Sequence, residues 1–169
     1  MCLPLRLVAT DLCPELQVRT DGVATLRPPR PGDARLLVEG RDDEFFRWLG
    51  PGAEIPSPVA CVWVGDELVG WVDYDVERDW LKPGEVNVGY YLFPAARGRG
   101  YASRAVELLL LHLGDETEHS VATLLFHPEN EQSPPSGSPP GIRGERRGRG
   151  RALLLPQCVT RWSVPGSNR

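Results

Sequence analysis

Two strand-forming runs, Val59 to Val64 and Glu67 to Tyr74, are separated by only Gly65-Asp66, and no other feature of the chain restricts its fold as much. A two-residue Gly-Asp connection between such runs closes an antiparallel hairpin. After a polar loop from Glu77 to Gly84, Glu85 to Phe93 is again rich in branched and aromatic residues, which makes it the third strand of an antiparallel meander. The flanking segments supply the layers that cover it. Tyr101 to Leu113 sets Ala102, Ala105, Val106, Leu109, Leu110 and Leu113 at the spacing of a buried helical stripe, and Val121 to Phe126 follows as an apolar strand. Upstream, Leu16 to Arg19 and Val23 to Arg27 flank the turn Thr20-Asp21-Gly22 and pair as a hairpin. Pro31-Gly32-Asp33 predicts an N-cap at Asp33 for a short helix through Leu36, Leu37 and Val38. A second helix over Asp43 to Leu49 is expected to bury Phe45, Phe46 and Trp48. The fold class is therefore α/β, in the α+β sense of a mixed sheet with helices.

The 169 residues, 41% hydrophobic and 25% charged, suit one domain with a sizeable core rather than two. That domain is expected over residues 1–133, because the pattern stops at Ser133. Residues 134–169 hold six prolines, six glycines and the arginine-rich stretch Arg143 to Arg151, a composition that predicts a disordered tail. Charge divides at the same point: net −10 before residue 134 and net +6 after it. The acidic body argues against nucleic acid as the partner and is compatible with cationic substrates, though a solvated acidic surface has the same composition. No apolar run approaches the ~20 residues of a membrane helix, and Pro4 and Arg6 interrupt any signal sequence, so a cytoplasmic protein without membrane attachment is expected. Cys2, Cys13, Cys61 and Cys158 are scattered, and His112, His119 and His127 are isolated. Neither set has metal-ligand spacing, and the histidines are expected at the surface or at helix ends. Trp63, Trp71 and Trp80 are expected to fill the core or line a cleft.

The chemistry concentrates in Gly89-Tyr90-Tyr91-Leu92-Phe93-Pro94-Ala95-Ala96-Arg97-Gly98-Arg99-Gly100-Tyr101-Ala102. A strand, a glycine-containing turn and a helix N-terminus set free backbone N–H groups and the positive end of a helix dipole around one concavity, which suits a pyrophosphate. Small residues at 98, 100 and 102 allow close approach. A Walker loop is excluded, since no lysine follows Gly100 and the only one in the chain is Lys82. A dinucleotide-binding fold fits poorly, because the turn follows an antiparallel meander and the next strand ends without an acidic residue. An ordinary strand-to-helix turn with exposed arginines accounts for the same residues equally well.

Arg97-Gly98-Arg99-Gly100-Tyr101-Ala102 matches the [QR]xxGx[GA] signature of the GNAT acyl-CoA N-acyltransferases. The preceding Gly-Tyr-x-Leu-x-Pro strand end, Thr25-Leu26-Arg27-Pro28 with Gly32-Asp33-Ala34, and Asn130-Glu131-Gln132-Ser133 resemble, in the same order, segments of the branch similar to ribosomal-protein alanine acetyltransferases. The resemblance spans roughly Val23 to Ser133. It implies a GNAT-like fold of central, mostly antiparallel strands with helices on both faces. It also implies acetyl-CoA as co-substrate, with the main chain of Tyr90, Tyr91 and Leu92 pairing with the pantetheine arm at a splayed strand end. The tyrosine side chains are equally compatible with core packing. The N–H groups of Gly98, Arg99, Gly100, Tyr101, Ala102 and Ser103 would hold the pyrophosphate, Arg97 and Arg99 would add phosphate contacts, and Asn130 would reach the pantetheine or thioester.

Members of that family transfer the acyl group directly to an amine, which requires removal of a proton from an ammonium and stabilisation of an oxyanion. Strand parity sets Glu85, Asn87 and Gly89 on one face, with Asn87 where relatives often carry glutamate. Glu85 acting through water, with Asn87 orienting it, is one candidate base, and Asp73 at the end of the neighbouring strand is the other; both carboxylates are also compatible with solvated strand-end charges. A glutamate that some relatives place five residues before the NxxS asparagine is Leu125 here. Relatives continue after NxxS into a helix and a strand pair, often with a tyrosine that acts as acid toward the leaving thiolate, whereas this chain turns to Pro134-Pro135. With 18 arginines to one lysine, GC-rich coding and an out-of-frame C-terminus explain that departure, as does a divergent native tail. Loss of those elements leaves the strand Val121 to Phe126 with an exposed edge that invites homodimerisation. Two functions follow: an N-acetyltransferase acting on a primary amine, either a protein N-terminus or a small amine, and a non-catalytic acyl-CoA binder.

Overall fold

A computed structural model describes residues 16–126, 144–147 and 158–163. Strands β1 (Arg19–Thr20) and β2 (Ala24–Arg27) form the first hairpin, whose turn is held by the Asp21 carboxylate accepting from the N–H groups of Val23 and Ala24 at 2.9 and 2.8 Å. Helices α1 (Asp33–Glu39) and α2 (Asp43–Leu49) follow, then β3 (Ala60–Val64), β4 (Glu67–Asp75) and β5 (Glu85–Leu92). The expected meander is present, with β2 to β5 paired antiparallel in sequence order. A single 3₁₀ turn over Pro94–Ala96 leads into α3 (Tyr101–Glu116), and β6 (Val121–Phe126) returns parallel to β5. A parallel neighbour needs a crossover, and α3 provides it.

Beyond β6 the structure differs from the sequence expectation. Strands β7 (Gly144–Arg147) and β8 (Cys158–Ser163) are present, and the sheet order is β1-β2-β3-β4-β5-β6-β8-β7. The strand pair expected to be missing therefore exists, and β8 covers the edge of β6 that was expected to be open. Pairing with another chain through β6 loses its reason. The physical basis is local: Cys158-Val159-Thr160-Arg161-Trp162-Ser163 contains no proline or glycine and is rich in strand formers, so it fills the row of backbone groups that β6 presents. Residues 127–143, where the helix expected to be missing would fall, lie outside the described residues. The disorder expected over residues 134–169 falls mostly outside the described residues.

The two faces of the sheet bury different material. Toward α3 point Ala24, Leu26, Val62, Val72, Val86 and Val88, which meet Ala105, Val106, Leu109, Leu110 and Leu113, all at most 1% exposed. Each fully buried leucine or valine there contributes about 1.5–3 kcal/mol. His112 belongs to this core rather than to the surface where the sequence reading put it, at 0% exposure with its ring 6.4 Å from that of Tyr74. The opposite face is smaller: Leu37, Cys61 and Leu68 with Trp63, Trp71 and Phe93.

α1 and α2 cover part of that second face, with two corrections to their expected details. Gly32, not Asp33, is the N-cap of α1; Asp33 is the first helical residue, and its buried carboxylate accepts from Arg27 Nη1 at 2.9 Å and the Arg30 N–H at 2.7 Å. Burial opposes its ionisation, but Arg27 and that N–H outweigh it and hold Asp33 below the usual carboxylate range. In α2 only Phe45 is buried; Phe46 is 51% exposed and Trp48 half-buried. A seven-residue helix lying across a sheet edge has one apolar stripe, which Phe45 occupies and the adjacent Phe46 cannot.

Candidate active site

The site begins where two strands part. β5 pairs with β6 only from Glu85↔Val121 to Val88↔Leu124. Beyond that point β6 continues with β8 alone, while Gly89 to Leu92 stay paired with β4. Among the described residues no strand pairs with Gly89 to Leu92 on the side away from β4, the arrangement that an extended ligand alongside β5 requires. The side chains of this segment alternate as packing requires: Tyr90 and Leu92 join the α3 core, whereas Tyr91, 7% exposed, lies on the α1–α2 side. Both tyrosine side chains therefore pack against the protein interior.

Six residues further on lies the glycine-containing turn into α3. Gly98 and Gly100 have φ of 73° and 78°, a left-handed backbone that side-chain-bearing residues rarely adopt, and a Cβ on either would meet nothing within 4 Å. Gly100 is the N-cap of the 16-residue α3 and no side chain caps it. The leading N–H groups at Tyr101, Ala102 and Ser103 are among those that a helix leaves without intrahelical partners, and they sit at its positive end. A helix N-terminus without a side-chain cap among the described residues, approached through two left-handed glycines, is of the kind that suits an anionic group. Arg99 is exposed beside it.

Arg97 is placed differently from the phosphate-contacting role expected for it. Its Nη1 lies 2.8 Å from Asp42 Oδ2 and 2.7 Å from Glu44 Oε2, its Nη2 lies 3.0 Å from Asp42 Oδ1, and its Nε donates to the Leu92 carbonyl at 3.1 Å. The guanidinium beside Asp42 holds that carboxyl down at about 2. The sequence reading missed Asp42 and Glu44, which look in the sequence like the acidic first turn of a helix and nothing more.

The candidate carboxylates separate by position. Asp73 stands directly opposite Gly89 across the β4–β5 pairing, at the residue where β5 leaves β6. Its Oδ1 accepts from the N–H groups of Tyr74 at 2.9 Å and Val59 at 3.4 Å. Burial pushes its pKa up, and Asp75 adds to that rise, against the two N–H groups. Gly89 has no side chain, and among the described residues nothing lies within 4 Å of where one would be. Glu85 is four residues from Gly89, about 13 Å along an extended strand. Its Oε2 accepts from the Lys82 N–H at 3.1 Å, closing the turn that starts β5. Asn87 lies between them on the same face, opposite Asp75 and Thr123, and its buried Oδ1 has no partner among the described residues. Asn130 and its NxxS segment lie outside the described residues.

A family model described as an acetyltransferase (GNAT) domain matches residues 24–134. No curated protein matches the sequence. Solved structures do match the fold. The aminoglycoside acetyltransferase AAC(6')-Ib in complex with coenzyme A has 18% identity and a TM-score of 0.67, over 85% of this chain and 96% of that one. The ribosomal L7/L12 alpha-N-protein acetyltransferase RimL, in complex with coenzyme A, has 12% identity and a TM-score of 0.66, over 90% of this chain and 100% of that one. RimJ from Mycobacterium smegmatis, in complex with CoA-disulfide, has 16% identity and a TM-score of 0.60, over 90% and 88%. At such identities these structures establish the fold, a mixed sheet with helices on both faces. The family match spans the meander, the parted strands and the glycine cradle together, and the chain belongs to the GNAT acetyltransferase family.

Proposed function

We propose that the protein is an acetyl-CoA-dependent N-acetyltransferase acting on a primary amine by direct transfer. The observation that carries this reading is the end of β5–β6 pairing at Val88 and Leu124 together with the glycine-entered N-terminus of α3 that follows β5 in the chain. An extended arm fits the parted strand end and a pyrophosphate fits the cradle. The solved neighbours named above bind coenzyme A, which supports the same assignment here. In this reading the main chain of Tyr90, Tyr91 and Leu92 pairs with the pantetheine arm. The N–H groups of Gly98 to Ser103 hold the pyrophosphate, and Arg99 adds charge. Acetyl-CoA supplies the activated acyl thioester.

The chain's own task is then proton removal and orientation. An amine must be neutral to attack, and its ammonium form carries a pKa of ~10 when it is a lysine-like amine. Position favours Asp73 over Glu85 as the group that receives the proton through water, since Asp73 faces Gly89 at the parting while Glu85 lies about 13 Å back and closes a turn. A carboxyl raised above its ordinary range is a better base for this purpose. Asn87, with its unpartnered Oδ1 on the same face, receives a hydrogen bond from the amine or the relayed water. The acceptor is a protein N-terminus or a small amine.

The test is acetyl-CoA turnover followed by thiol release across a panel of amines. Asp73→Asn is expected to lower turnover by ~10²-fold or more while Glu85→Gln changes it little. The reverse ranking moves the base to Glu85. Acetyl-CoA binding without turnover on any amine favours the non-catalytic binder instead.

A further inference from the structure

The side chain next to the cradle points away from it and into the opposite wall of the site. Arg97 directly precedes Gly98, yet its guanidinium is engaged by Asp42, the N-cap of α2, and by Glu44 in the first turn of that helix. Tyr91 joins the same cluster: its hydroxyl lies 3.0 Å from the Gly40 carbonyl, 2.9 Å from Asp42 Oδ1 and 3.2 Å from Arg97 Nη2. Its ring meets Phe45 of α2 edge-on at 5.0 Å and lies 5.3 Å below the Arg97 guanidinium carbon. The turn between the two short helices is pressed down as well, since a Cβ on Gly40 would overlap the Phe93 ring. The connection between α1 and α2 is thus bolted to residues 91, 93 and 97, the segment that joins the parted strand end to the cradle.

These contacts fall on the sheet face that carries Asp73 and Asn87 beside the open position at Gly89, so α2 borders the space where an amine must approach. We propose that Arg97 is a positioning residue that locks α2 to the cradle, so that occupation of the cradle orders the amine-facing wall. The assignment rests on the coenzyme A reading of the cradle. Arg97 is suited to this in a way lysine is not, because one planar guanidinium here spans two carboxylates, a hydroxyl and a carbonyl at once. Fixing a wall before the amine arrives reduces the ordering entropy that the amine must otherwise offset, which appears as positive coupling between the two ligands.

Hydrogen exchange on the full chain, with and without coenzyme A, tests this. In the wild type, coenzyme A is expected to slow exchange at residues 98–103 and also at Asp43–Leu49, the latter by about fivefold or more. Arg97→Gln is expected to keep the slowing at the cradle and lose it at α2. Should that variant fold poorly, Glu44→Gln removes one half-exposed partner and is expected to reduce the α2 effect in the same direction. Slowing at the cradle with α2 unchanged in the wild type overturns the lock alone, as does an α2 response that survives both substitutions. No slowing at either segment overturns the coenzyme A reading, and the lock with it.

Discussion

Asp42 and Asp73 have opposite relations to their surroundings, and the contrast separates a residue that holds the structure from one suited to react. Asp42 is held down at about 2 by Arg97, against the cost of its own burial and with help from the Phe45 N–H and Tyr91. Its contribution, on the order of 1 kcal/mol after solvent screening, is present above the ordinary carboxylate range and is lost as pH falls toward 2. Asp73 is raised, first by burial. The folded state holds its proton more tightly than the unfolded chain does, so stability is fully present below the ordinary carboxylate range and declines as pH rises through the raised value. Asp73→Asn keeps an oxygen for the Tyr74 and Val59 N–H groups and removes the buried charge. Urea unfolding is expected to show the variant more stable than wild type at pH 7, with the difference shrinking toward pH 4. A less stable variant at pH 7 would mean that the Asp73 charge holds the fold together. That a carboxylate suited to proton transfer costs stability is a familiar trade, and its place at the end of the strand next to Glu85 named Asp73 in the sequence without ranking it. The ranking needs the register that sets it against Gly89. His112 shows the same limit: a histidine in an apolar helix reads as an edge residue until the width of the buried face is known.

Among the elements, the meander was legible because a two-residue Gly-Asp connection leaves adjacent strands only one way to pair, and the observed β3, β4 and β5 agree with the expected runs to within one residue at each end. The amphipathic period gave α3, though the helix runs on to Glu116, past the apolar stripe. The parting of β5 from β6 was not legible in composition or periodicity; only the family resemblance implied a splayed strand end. It depends on β6 turning toward β8, and β8 was hidden because the residues around it are rich in proline, glycine and arginine. The cradle was read from its residue types, and its geometry now allows a controlled test. Gly100→Val adds a side chain into the open concavity, and because φ is 78° it also strains the backbone. Gly22→Val carries the same kind of strain at φ 89°, likewise in open space, in the β1–β2 turn. Acetyl-CoA is expected to raise the melting temperature of the wild type and of Gly22→Val, by an amount equivalent to ~2.7 kcal/mol at a hundredfold excess over Kd. Gly100→Val is expected to lose most of that shift. An equal shift in both variants would take the pyrophosphate away from this helix end.

At the scale of the molecule, the sheet divides labour between its faces. One face is an apolar core under α3; the other, under α1 and α2, carries Asp73 opposite Gly89 and, on the same face, Asn87. Among the described residues no helix is long and apolar enough to cross a membrane. The α3 helix buries its apolar stripe against the first of these faces, and its N-terminus is the helix end into which the two left-handed glycines lead. The most direct test of this arrangement is to follow backbone amide shifts by NMR as acetyl-CoA is titrated into the full chain. The largest changes are expected in two separate stretches, Gly89 to Leu92 at the parted strand end and Gly98 to Ser103 at the helix N-terminus, saturating together. Changes confined to other segments, or absent from either of these two, would contradict the assignment of this cleft to acetyl-CoA.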